Sequence, residues 1–234
     1  MVLPVRTIPF DWRRRKYMPN QKSLILRNVL QKGFVIILNS HGGEPFKFWE
    51  LHPGNGRIQR VRNPDVDGLV VELISPTFCS TYISVPEDVR SRTNCTMPIL
   101  TLMLEYLNRP FAFEIQLKDS KNMKRKYRMS TCRTNSKLST VICHLPIYLT
   151  RGWNKIIIDL PSLTRLSYNS RFVEFLGMKV YSSCRIRKIY FSDRKYEENE
   201  LPEELILREH IPLHRGPKDY PFNLYPANLY RDGI

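Results

Sequence analysis

From Phe111 to Ser130, apolar and polar residues alternate in two matched runs about a polar turn, a pattern that holds a chain to a pleated sheet with one dry face. Phe111, Phe113, Ile115 and Leu117 fall on one side, with Ala112, Glu114, Gln116 and Lys118 on the other. Successive strand side chains point to opposite faces, so a run of period two buries one face and wets the other. Asp119 to Asn122 supply the turn. On the return run Met123, Tyr127 and Met129 share the apolar face, while Lys124, Lys126 and Arg128 share the polar one. The segment reads as a β-hairpin.

Shorter runs cut by turn formers surround it: GFVIILNS, PFKFWEL, GLVVELI and STYISV before it, and VICHLPIYL, WNKIIIDL, FLGMKVY and CRIRKIYF after it. PSLTRLSY is the best candidate for a short helix, and the acidic stretch around Leu201 and Pro202 predicts a helical turn that closes the domain. Many short strands at this spacing predict an all-β chain, a single β-sandwich or jelly-roll-like domain over residues 30–208. Residues 1–29 read as a basic extended arm and residues 209–234 as a second arm rich in Pro and Tyr. Neither has a helical or strand period. Their spaced aromatics, Phe10 and Trp12 in the first and Tyr220, Phe222, Tyr225 and Tyr230 in the second, predict anchors that fill separate pockets on neighbouring subunits.

The formal net charge is +15, with +6 on residues 1–29, +9 on residues 30–208 and none beyond. An acidic partner follows, and nucleic acid, an anionic membrane or tubulin all satisfy that condition. No run of eighteen apolar residues exists, and Pro4, Arg6 and Asp11 interrupt any leader-like apolar core, so the reading is a soluble intracellular chain that does not bind membrane. Five cysteines, an odd number, then read as reduced and mostly buried. Nucleotide-binding glycine loops, nucleophile elbows and zinc-protease signatures are absent, and no two cysteines have zinc-ligand spacing. The expectation is a chain that is not an enzyme and has no cofactor or metal.

Four segments carry a resemblance: GFVIILNSHGGEPFKFWE, FAFEIQLKDSKNMKRKYR, GWNKIIIDLPSLTR and CRIRKIYFSDRKYEENELPEEL. Together they resemble the cilia- and flagella-associated protein 20 family from about Leu30 to Arg208. The resemblance implies a β-sandwich similar to carbohydrate-binding modules. It also implies a structural role at the inner junction of ciliary doublet microtubules, closing the B-tubule onto the A-tubule. The implied partners are α/β-tubulin and neighbouring inner-junction and microtubule inner proteins, and the implied place is the cytoskeleton of the cilium or flagellum axoneme. A longer N-terminal arm, a different C-terminal arm and Thr150-Arg151 before Gly152-Trp153-Asn154 mark a divergent paralogue, for which a specialised cell such as sperm is a conceivable setting.

Two basic clusters are candidate contacts for tubulin or another partner. Lys124, Lys126 and Arg128 sit at alternate positions of one strand within residues 118–137, a window of net charge +7. Arg185, Arg187, Lys188 and Arg194 form the second, in which Arg187 has an alternative role as partner of the acidic turn. Rival readings are a nucleic-acid binder, from the Arg13-Arg14-Arg15-Lys16 run, and a sugar-binding module using Trp49 and Trp153. The first lacks any recognition motif, and aromatics such as these are more often inter-sheet anchors.

Overall fold

The computed structural model describes residues 31–86 and 93–207. Both arms, with Phe10, Trp12, Tyr220, Phe222, Tyr225 and Tyr230, lie outside the described residues.

Thirteen strands and one helix are present among the described residues. They run β1 (Phe34–Asn39), β2 (Glu50–His52), β3 (Arg57–Asn63), β4 (Gly68–Ile74), β5 (Tyr82–Val85), β6 (Ile99–Tyr106), β7 (Ala112–Asp119) and β8 (Lys124–Ser130). There follow β9 (Lys137–Leu138), β10 (Ile142–Pro146), β11 (Gly152–Asp159), α1 (Leu160–Tyr168), β12 (Phe172–Tyr181) and β13 (Cys184–Ser192). One sheet has the order β11-β6-β13-β4-β3, with β1 also on β13; the other has the order β2-β5-β12-β7-β8-β10-β9. The two sheets form a sandwich, as the alternation predicts.

Inward residues from both sheets fill the space between them. Leu100, Leu102 and Leu104 of β6 and Ile156 and Ile158 of β11 meet Phe113, Ile115 and Leu117 of β7 and Val180 of β12, all at most 1 % exposed. Phe175 and Phe191 cross the gap edge to face at 4.9 Å. Full burial of each such side chain is worth about 1.5–3 kcal/mol, so the core needs neither disulfide nor metal. All five cysteines are free; three are buried, whereas Cys132 is exposed and Cys79 half-buried.

The β7–β8 hairpin forms in the register that its turn dictates, from Lys118 opposite Lys124 to Ala112 opposite Ser130. Asn122 takes a left-handed conformation, φ 59°, and its N–H donates to the Asp119 carbonyl at 3.0 Å. The helix also forms where expected. Asp159 caps it by accepting from the Ser162 N–H at 2.9 Å, Pro161 occupies its first turn, and Asn169 ends it at φ 45°.

Two expectations need correction. PFKFWEL is not a strand up to Trp49: Lys47 and Trp49 donate backbone hydrogen bonds to Glu44 and Phe46 three residues back, forming turns. That spacing, rather than a pleat, brings Phe46 and Trp49 into the core, where the Trp49 indole donates to the Ile37 carbonyl at 2.7 Å. Met123 is exposed because the turn extends to it and β8 begins one residue later. Arg125 takes the inward position instead, among Tyr127 and Met129. The acidic stretch after β13 does form two short 3-10 turns, Glu198–Glu200 and Glu203–Leu205, and Leu201 and Leu205 pack on Met103 and Tyr190.

Candidate partner-binding surface

Lys124, Lys126 and Arg128 occupy the outer face of the seven-stranded sheet, but their surroundings differ. Glu114 of β7 stands opposite Arg128 and is buried. It accepts from Arg128 at 3.2 Å and lies 3.7 Å from the Lys126 ammonium. Arg128 is held further, donating to the Cys79 sulfur at 3.0 Å with its guanidinium 5.3 Å above the Tyr181 ring. Two of the three cations are therefore tied to one carboxylate. Lys124 is exposed and pairs with no described carboxylate. Directly opposite it is Lys118, which has Glu174 of β12 on its other side. Like charges directly across an antiparallel pair are destabilising, so this end of the sheet retains uncompensated positive charge.

Arg125 is removed from the basic surface. Its Nε donates to Asp119 at 2.7 Å, its guanidinium lies 4.1 Å from the Tyr168 ring centroid, and Nη1 donates to the Thr140 carbonyl. Asp119 also accepts from the Lys121 and Met123 N–H groups and from the Ser170 hydroxyl. Burial alone would raise the Asp119 carboxyl, but the Met123, Arg125 and Ser170 hydrogen bonds outweigh it and hold the pKa below the ordinary value.

Beside the cations, a groove of about 770 Å³ runs across the same face between β2, β5, β12 and β7. Its aromatic floor is covered. His52 stacks on Tyr82 at 4.2 Å, and the Lys179 ammonium sits 4.7 Å from the Tyr82 centroid. Glu50, Glu114 and Glu174 line the groove together with Lys118, Lys124 and Lys179. With Trp49 in the core, this face has no open row of aromatic rings for stacking on sugars among the described residues.

The second cluster lies on the other sheet, so the two clusters do not meet. Arg185 is a bridge between the buried carboxylates Glu72, at 2.8 Å, and Glu105, at 3.2 Å. Burial would raise Glu72, yet hydrogen bonds from Arg185 and Gln59 keep its pKa low. Arg187 does not reach the acidic turn. It faces His41 Nε2 at 2.9 Å, while Arg194 takes the acidic partner, Glu200, through two hydrogen bonds of 2.7 and 3.0 Å. The β13 register shifts between Ile186 and Lys188, and this bulge breaks the alternation. Lys188 consequently is only 4 % exposed and donates to the Glu204 carbonyl. In this cluster each of the four cations has an intramolecular partner, Arg187 through His41 and the Leu69 carbonyl.

A further group was not singled out in the sequence. Arg133, Thr134 and Asn135, in the turn after β8, line a cup of about 540 Å³ together with Arg128 and Ser130 of β8 and His144 of β10. Only tertiary structure brings it together, because β10 pairs with β8 in parallel. Among the described residues no group of three His, Cys, Asp or Glu side chains is placed to hold a metal ion, and no helix is long and apolar enough to cross a membrane.

Residues 25–209 match the CFA20 domain family model. The chain belongs to the CFA20 domain family. Relatives include cilia- and flagella-associated protein 20 of Chlamydomonas reinhardtii, 37 % identical over 78 % of this chain and 96 % of that one. The Paramecium tetraurelia protein of the same name is 35 % identical, again over 78 % of this chain and 96 % of that one. The Caenorhabditis elegans protein is 31 % identical over 81 % of this chain and 92 % of that one. Among solved structures, the CBM22-1 and GH10 modules of a Clostridium thermocellum xylanase align with a TM-score of 0.35 and 9 % identity, over 69 % of this chain and 29 % of that one. That likeness is too distant to bear on function. CFA20 membership makes this a chain of a cilia- and flagella-associated family, and the basic outer sheet face lies within the matched residues.

Proposed function

We propose that this chain is a non-catalytic structural protein of the axoneme, bound to tubulin at the inner junction where the A- and B-tubules of a doublet meet. The supporting observation is the Lys118–Lys124 pair. Two cations face each other on a rigid sheet, with Lys124 unpaired among the described residues, and an acidic surface docked there would relieve the repulsion. Tubulin walls and neighbouring junction proteins are the partners that a ciliary family member would meet. Nucleic acid is the lesser alternative, because no described element has the form of a recognition helix or an aromatic base-stacking platform.

Arg128 is a poor residue for a test, since reversing its charge would set a second carboxylate against Glu114. Lys118→Glu with Lys124→Glu avoids this. Exposed ion pairs contribute about 0.2–1 kcal/mol each, so the double variant is expected to bind microtubules about tenfold more weakly in co-sedimentation. Wild-type binding is expected to fall between roughly 0.01 and 0.15 M salt, as the Debye length contracts from about 30 to 8 Å. Binding indifferent to both salt and charge reversal would remove this face from the account.

A further inference from the structure

The cup at the end of β8 carries an arginine that the fold does not neutralise, Arg133. By contrast, Arg185 is matched to Glu72 and Glu105, Arg194 to Glu200 and Arg125 to Asp119. Around the cup, the side chains of Arg133, Thr134 and Asn135 are exposed and make no hydrogen bond or ion pair with any described residue. The same holds for Lys137 on β9. The His144 ring lines the cup, and its Nδ1 is buried without a partner. Burial, followed by the fields of Arg133, Arg128 and Lys137, holds this imidazole below its ordinary pKa. The ring is thus neutral at pH 7 and can present one N–H.

The chemistry of the lining defines the ligand. A guanidinium fork, an ammonium nearby, two hydroxyls (Ser130 and Thr134), an amide and an imidazole converge from three directions: β8, the turn and β10. A planar carboxylate has two oxygens and cannot answer so many donors. A phosphate monoester has three terminal oxygens and a charge of about −1.5 to −2 at pH 7. Arginine clusters with hydroxyl donors are a recurring way of capturing such a group. At about 540 Å³ the cup has room for a phosphorylated side chain together with its flanking backbone, and its large apolar wall, Phe78, is 40 % exposed, enough to rest against one flanking residue of a peptide.

We propose that this cup captures a phosphorylated serine or threonine side chain of a neighbouring protein. Attachment of that neighbour is then controlled by its phosphorylation, separately from the Lys118–Lys124 face. The inference does not depend on the microtubule reading and can be tested without microtubules.

The test is fluorescence anisotropy with the full chain and three labelled five-residue peptides that differ only at the central residue: phosphoserine, glutamate or serine. Phosphoserine is expected to bind at least about tenfold more tightly than glutamate, since it offers more charge and more acceptors. Arg133→Ala should cost about tenfold in affinity, the usual order for a hydrogen bond to a charged group, and Asn135→Asp should abolish binding. Lys118→Glu with Lys124→Glu should leave it unchanged. All of these positions are at the surface, and superimposable melting curves would confirm that the variants remain folded. Equal affinity for the phosphoserine and glutamate peptides, binding indifferent to Arg133→Ala, or no saturation by phosphoserine up to about 1 mM, a free energy near −4 kcal/mol, would each overturn the proposal.

Discussion

Replacement of Asp119 by Ala is expected to lower the unfolding free energy by about 3–5 kcal/mol, the usual cost of leaving one member of a buried ion pair without its partner. Asp119 is 1 % exposed and Arg125, stacked on the Tyr168 ring, is 6 % exposed, so water cannot take over the missing charge. The loss extends beyond the pair. The same carboxylate orders the β7–β8 turn through the Lys121 and Met123 N–H groups and ties in the start of β12 through Ser170. Denaturant titration of wild type, Asp119→Ala and Asp119→Asn would measure it. The folded-state pKa of Asp119 is depressed, so its contribution is fully present above the unfolded value of about 3.9 and is lost as pH falls through the lower folded value. The gap between wild type and Asp119→Asn should therefore close below about pH 4. A gap that stays constant into acid, or an Asp119→Ala penalty under about 1 kcal/mol, would refute the role given to this pair.

Arg185→Ala should be nearly as damaging, by about 2–4 kcal/mol, reduced because the arginine is about one-third exposed. Glu72 on β4 and Glu105 on β6 would be left buried on either side of β13, with the amides of Gln59 and Asn63 and the largely exposed Arg57, at 3.5 Å from Glu72, as their remaining partners. The pH dependence should then shift. In wild type the Glu72 pKa is held low by Arg185, with Gln59 and Arg57; without the Arg185 guanidinium, burial is opposed only by the last two, and the pKa is expected to rise. A raised folded-state pKa gives stability that is present below the unfolded pKa and lost as pH climbs through the folded one. The variant should thus lie closest to wild type near pH 4 and fall away towards neutrality. Thermal melts across that range would detect the trend, and a deficit that is the same at every pH would show that Arg185 acts through packing alone.

The hairpin was legible because the alternation of β7 is uninterrupted, and α1 because Asp159, Pro161 and Asn169 stand where a cap, a first turn and a stop belong. β6 was not, since ILTLMLEY shows no alternation. It is a central strand whose outer side chains are also covered, Met103 by Leu201 and Leu205 and Glu105 by Arg185 and Asn63. β3 has the opposite difficulty: RIQRVRN is an edge strand with much of its length polar. The candidate surface was half legible. Counting outward from the Asp119–Asn122 turn sets Glu114 opposite Arg128 and Lys118 opposite Lys124, so the register alone separates the tied cations from the free one. Arg125 could not be placed in that way, because a charge at an inward position is explained only by Asp119 folding back onto it. The Arg187 bulge and the parallel β8–β10 pairing that forms the cup arise from tertiary contacts without a local signal.

Cryo-electron microscopy of doublet microtubules isolated from ciliated cells that express the protein tests the central claim most directly. The account predicts density for this sandwich repeating along the seam between the A- and B-tubules, with the outer face of the seven-stranded sheet, at Lys118 and Lys124, turned towards an acidic tubulin or junction-protein surface. Doublets from those cells in which the seam is built without this chain, or in which the chain lies elsewhere with that face open to solvent, would contradict it.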